Sequence, residues 1–112
     1  MIDYNNKVFV VLANTQNGEV DSSTKFTYQQ QGNIVTCTYL GGRIMCGHLL
    51  AIVQENGSLD MRYHQVNSKG ELMTGICFST PEILPNNKIR LHEIWRWTCG
   101  DQLEGTSLLE EQ

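Results

Sequence analysis

A series of glycine-bearing turns constrains this chain more than any other feature. Asn17-Gly18, Gly32-Asn33, Gly41-Gly42 and Asn56-Gly57 are two-residue turns of the kind that close β-hairpins, and Asn67-Ser68-Lys69-Gly70 reads as a type I turn followed by a left-handed glycine. Residues that tolerate φ > 0 match the right-handed twist of flanking strands, so such dipeptides favour hairpins and fix their register. Between the turns lie Val8 to Ala13, Ser22 to Gln31, Ile34 to Leu40, Arg43 to Gln54, Ser58 to Val66, Glu71 to Thr80, Lys88 to Thr98 and Gly105 to Glu111. The longer loop 81–87 carries both prolines, which argue against an interior strand there. No window has the apolar spacing of a good helix. The expected fold is therefore all-β: an eight-stranded antiparallel up-and-down meander barrel, one domain over residues 1–112.

A two-residue loop pairs positions whose numbers have a constant sum. Asn17-Gly18 then sets Phe9 opposite Phe26, and Gly32-Asn33 sets Phe26 opposite Tyr39 and Tyr28 opposite Cys37. Gly41-Gly42 sets Tyr39 opposite Ile44, Cys37 opposite Cys46 and Val35 opposite His48. Asn56-Gly57 sets Ile52 opposite Met61, Leu50 opposite Tyr63 and His48 opposite Gln65. The shared inward face holds Phe9, Val11, Phe26, Tyr28, Val35, Cys37, Tyr39, Ile44, Cys46, Leu50, Ile52, Leu59, Met61 and Tyr63. Lys25, Thr36, Thr38, Arg43, Asp60, Arg62 and His64 face outward. In the sixth strand the turn selects Met73, Gly75, Cys77 and Ser79 as inward, whereas hydrophobicity selects Leu72, Ile76 and Phe78. We follow the turn, because Gly75 beside Tyr63 leaves room for its ring. In the seventh, Leu91, Glu93, Trp95 and Trp97 face inward, with Arg90, His92 and Arg96 outside.

The inward polar set is Tyr28, Tyr39, His48, Tyr63, Gln65 and Glu93, beside Trp95 and Trp97. One reading is a ligand pocket, with aromatic walls and a few convergent polar groups to orient an apolar or aromatic small molecule. A second makes Glu93 and His48 an acid/base pair, which requires both to reach one substrate atom. A third is a filled barrel whose outer face forms a homo-oligomer, a homodimer in the simplest case, with Glu93 held by tyrosines, His48 or water. Cys37 and Cys46 form a thiol pair across the Gly41-Gly42 turn, read as two small buried hydrophobes in contact or as a strained disulfide. Trp95-Arg96-Trp97 either stacks a ring-shaped ligand or fills one end of the core. The arginines Arg62, Arg90 and Arg96 read as a solvated face.

The net charge of −4 argues against nucleic acid or an anionic membrane surface as partner. Residues 1–6 lack the positive start of a signal peptide, and no stretch reaches membrane-spanning length. The expected location is thus cytoplasmic, with the cysteines reduced and Asn56-Gly57-Ser58 a turn rather than a glycosylation site. No metal site or cofactor is expected. No spacing brings three ligands together, no Gly-rich phosphate loop precedes a helix, and no Ser-His-Asp order is present.

Gly70 to Gly75, Ser79 to Pro85 and Ile89 to Trp97 together resemble a small bacterial family whose members carry the label N-acetylglutamate synthase. The resemblance covers nearly the whole chain. It implies a compact calycin-type barrel, lipocalin- or streptavidin-like, and offers no catalytic residues to transfer. The label itself implies acetyl transfer, for which this chain shows neither an acyl-CoA pyrophosphate loop nor the helices to carry one.

Overall fold

A computed structural model describes residues 2–112. The strands are β1 (Lys7–Asn14), β2 (Lys25–Gln31), β3 (Ile34–Gly41), β4 (Ile44–Val53), β5 (Leu59–Asn67), β6 (Leu72–Ile83), β7 (Ile89–Trp97) and β8 (Glu104–Glu111). Each pairs antiparallel with the next, and β1 pairs with β8 to close the barrel. Closure gives every strand a hydrogen-bonded neighbour on both sides over most of its length. The expected meander barrel is the observed fold.

Turn chemistry accounts for the β2–β3 and β5–β6 registers. Phe26 lies opposite Tyr39 and Tyr28 opposite Cys37 across Gly32-Asn33. Phe9 lies opposite Phe26, but Asn17-Gly18 is not the expected two-residue turn, because residues 15–24 form a long loop between β1 and β2. At the β5–β6 turn, Gly70 adopts φ 77°, and its amide donates to the Asn67 carbonyl. That turn directs Gly75, Cys77 and Ser79 inward as expected. A Cβ on Gly75 would fall 2.2 Å from the Tyr63 hydroxyl, so the glycine makes space for the ring.

β4 departs from expectation. The chain reverses at Gly42 and Arg43 rather than at Gly41-Gly42, because Gly41 (φ 122°) packs so closely on the Ser23 carbonyl that a Cβ would sit 2.1 Å away. A bulge then inserts an extra residue between Ile44 and Gly47, leaving both Met45 and Cys46 exposed. A bulge of this kind shifts the alternation by one position. Gly47, Leu49, Ala51 and Val53 therefore face inward, while His48, Leu50 and Ile52 face outward. Cys37 lies opposite Leu49, so the Cys37–Cys46 pair does not form and the cysteines are free.

The other end of β4 agrees with this shift. Gly57 (φ 88°) donates to the Gln54 carbonyl, and Gln54 donates to the Ser58 carbonyl, so Glu55, Asn56 and Gly57 form a three-residue loop. Met61 consequently faces Ala51 rather than Ile52, and Tyr63 faces Leu49 rather than Leu50. The same turn recurs at β6–β7 with Asn87 (φ 67°) in the glycine's place. There β6 continues through Pro81 to Ile83, pairing only with β7, since its ladder with β5 ends at Ser79. Pro81 thus occupies an edge, where its missing amide is tolerated.

The barrel interior is filled at one end only. Tyr4, from the segment before β1, caps that end, donating from its hydroxyl to the Gly57 carbonyl at 2.6 Å. Beneath it Phe9, Tyr28, Val35, Leu59, Leu91 and Leu109 are fully buried, each contributing roughly 1.5–3 kcal/mol by transfer from water. The opposite end is roofed by the loop 15–24.

The β4 register has a direct consequence. Gly47→Ala would push a methyl to within 2.3 Å of the Tyr39 ring and should cost about 1–3 kcal/mol of stability in urea unfolding. Cys46→Ser, at an exposed position, should shift it by less than about 0.5 kcal/mol. The reverse ranking would restore the register in which Cys46 is inward.

Candidate functional site

Below the roof the inward side chains do not meet, and a cavity of about 50 Å³ remains. Its wall is aromatic. Phe26 and Tyr39 stack at 4.6 Å between centroids, Tyr63 meets Trp97 edge-on at 5.8 Å, and Trp97 meets Trp95 at 5.5 Å. Strict alternation on β7 delivers both indoles and Glu93 to the same side. Each indole N–H is satisfied by the protein: Trp95 Nε1 donates to Ser107 Oγ at 2.8 Å and Trp97 Nε1 to the Asn17 carbonyl at 3.0 Å. The rings are thereby fixed, with their faces and edges left as wall.

Glu93 is the buried acid of the interior. Ser79, opposite it on β6, donates to its Oε2 at 2.5 Å, and among the described residues no group donates to Oε1. Burial pushes the Glu93 carboxyl up to about 7, with the Ser79 hydrogen bond acting in the opposite direction. Burial, and secondarily Glu93, raises the Cys77 thiol and the Tyr28 hydroxyl well above their ordinary values. Both groups are neutral, and the Cys77 thiol is a poor nucleophile.

A second polar cluster ties the roof to the barrel. Gln65 accepts from Tyr39 Oη at 2.6 Å and donates to Glu19 Oε1 at 2.9 Å; Asn67 Nδ2 donates to Glu19 Oε2 at 2.7 Å. Asn14 accepts from Ser107 Oγ at 2.7 Å and donates to the Val20 carbonyl at 2.9 Å. Arg43 Nη2 bonds the Gly18 carbonyl at 2.8 Å. Gly18, Glu19 and Val20 thus form the ceiling.

Of the residues expected at the site, Tyr39, Tyr63, Gln65, Glu93, Trp95 and Trp97 line this cavity. Tyr28 lies in the filled half, against Phe9 and Tyr4, and its hydroxyl is buried without a hydrogen-bond partner. His48 is on the outer face beside His64, ring centroids 5.4 Å apart, so no acid/base pair with Glu93 forms. Asn14, Glu19, Ser79 and Ser107 complete the site. Ser79 was accessible to turn reasoning. Asn14 turns inward only because the β1–β8 pairing slips between Val11 and Ala13, and Glu19 sits in a loop without periodicity.

Two consequences can be measured. The unfolded Glu93 carboxyl ionises near 4.5 and the folded one near 7, so the folded state binds the proton more tightly between these values. Its contribution is full below the lower value and lost as pH rises through the upper. Wild type should therefore lose on the order of 3 kcal/mol relative to Glu93→Gln between pH 4 and pH 8 in urea unfolding. Tyr28→Phe removes an unpaired buried hydroxyl and should leave stability unchanged or raise it by up to about 1 kcal/mol; a clear loss would reveal a hydrogen bond to water.

A family described as "Avidin-like protein" matches residues 2–112 of the chain. No curated protein and no solved structure matches it.

Proposed function

The chain belongs to the avidin-like family, and on that premise we propose that the aromatic half of its barrel binds a small molecule. The family agrees with the calycin-type barrel implied by the sequence resemblance, and nothing in it supports the N-acetylglutamate synthase label. The observation that carries the reading is asymmetric filling: one half of the interior is packed, while the other keeps a hollow walled by aromatic rings around a carboxylate. A barrel serving only as a scaffold gains from filling that space, since each unfilled methyl-sized void costs on the order of 1 kcal/mol. A few convergent polar groups in an apolar hollow are the usual composition of a ligand site.

A cavity of about 50 Å³ holds a few waters. A ring-sized ligand requires the ceiling to yield, and the loop 15–24 is the element able to do so. Its two ends are tied to strands, Thr15 to Thr106 on β8 and Thr24 to the Gly41 carbonyl on β3. Between them it is held by side-chain hydrogen bonds involving Asn14, Asn17, Arg43, Gln65, Asn67 and Trp97. Small aromatic compounds should therefore alter the intrinsic fluorescence of Trp95 and Trp97 in a saturable manner. Leu49→Phe, which grows into the cavity, should weaken that response roughly tenfold or more, equivalent to about 1.4 kcal/mol. A saturable response that Leu49→Phe leaves untouched would place binding elsewhere.

A second reading has its own observation. The outer face carries exposed Leu50 and Ile52 on β4, Phe78 on β6 and Ile94 on β7, flanking the Asp60–Arg62 ion pair on β5. Such a face suits a second copy of the chain. Sedimentation should show a dimer that Phe78→Lys disperses; a monomer at high concentration contradicts this reading.

A further inference from the structure

We infer that the occupant of the cavity is a small organic cation, an ammonium or protonated N–H heterocycle, seated with its charge at Glu93 and its body against the aromatic wall. The inference rests on the small-molecule reading above and adds the charge of the ligand. Its first support is the inventory of the lining. Two carboxylates, Glu93 and Glu19, border the hollow, and no lysine, arginine or histidine among the described residues does. The guanidinium at the roof, Arg43, is engaged by the Gly18 carbonyl and is not part of the lining. An anion would thus enter a site with two like charges and no counter-ion.

The second support is the unused acceptor. Glu93 is buried, its Oε2 takes the Ser79 hydroxyl, and its Oε1 receives no donor among the described residues. That oxygen borders the hollow without a protein donor and is free to accept from a ligand, and a cationic N–H makes a stronger bond to a carboxylate than a neutral donor does. The third support is the wall. Tyr39, Tyr63, Trp95 and Trp97 present π-surfaces, which attract a cation through their quadrupole, and indole does so most strongly. The remaining titratable groups that face Glu93 are Tyr28 on β2, Cys37 and Tyr39 on β3, Tyr63 on β5 and Cys77 on β6. All are raised by burial and neutral at pH 8. None competes with Glu93 for the ligand's charge.

The test is a charge series on one ring. Benzylammonium, benzyl alcohol and benzoate are titrated at pH 8 against tryptophan fluorescence, with proton NMR of the Met61 methyl as a second readout. Benzylammonium should bind roughly tenfold or more tightly than benzyl alcohol, from the charged hydrogen bond and cation–π contact together, and benzoate should not bind. Glu93→Gln should abolish the advantage of benzylammonium over benzyl alcohol, and an advantage that survives this change would overturn the assignment of the charge to Glu93. Benzyl alcohol or benzoate binding as tightly as benzylammonium to wild type would overturn the cation assignment and leave small-molecule binding intact. Silence from all three compounds in both readouts would overturn the binding reading and this inference with it.

Discussion

What the inside of this barrel contains depends on how β4 is threaded between β3 and β5. Antiparallel ladders transmit a one-residue offset across the whole strand, because side chains alternate with period two. The extra residue at Met45 and Cys46 supplies that offset. It exchanges a histidine and a cysteine for Gly47 and Leu49 on the inner surface. Without it, an imidazole would stand opposite Val35 and near Gln65, giving Glu93 a base to interact with. With it, the interior has an acid, a set of aromatic rings and neutral amides and hydroxyls.

The same threading explains why half the barrel is hollow. Gly47 on β4 lies against the Tyr39 ring and Gly75 on β6 against Tyr63, so these two strands contribute no side chain where bulky rings need room. Trp95 and Trp97 are held in place by hydrogen bonds to Ser107 and to the Asn17 carbonyl of the roof. At the capped end, by contrast, Tyr4, Phe9 and Tyr28 meet one another within 4.8–6.5 Å and leave no such gap. The hollow half is closed by a loop and hydrogen bonds, whereas the filled half is closed by packing.

Legibility in the sequence followed the same physical division. Gly32-Asn33 and Gly70 occupy turns whose geometry is set by local residues alone, and the faces of β2, β3 and β6 followed from them. Gly41 and Gly42 misled because their freedom answers a tertiary demand. Gly41 clears the Ser23 backbone and Gly42 clears the Asp21 carboxylate, both from the distant loop 15–24. Asn56-Gly57 has the composition of a two-residue turn and the conformation of a three-residue one. Neither register makes β4 amphipathic, because Leu50 and Ile52 outside are as apolar as Leu49 and Ala51 inside. Hydrophobic pattern could not arbitrate between them. Glu93 was legible throughout, since β7 alternates without interruption.

The central claim is that this carboxyl lies in a low-dielectric hollow, held by Ser79 and facing no cation. Carbon-13 NMR of the Glu93 side-chain carboxyl, followed across pH in the unliganded protein, reads that environment directly. A titration midpoint near 7 is the predicted result. A midpoint at or below the ordinary glutamate range would mean that water or a positive group reaches Glu93, and would contradict it.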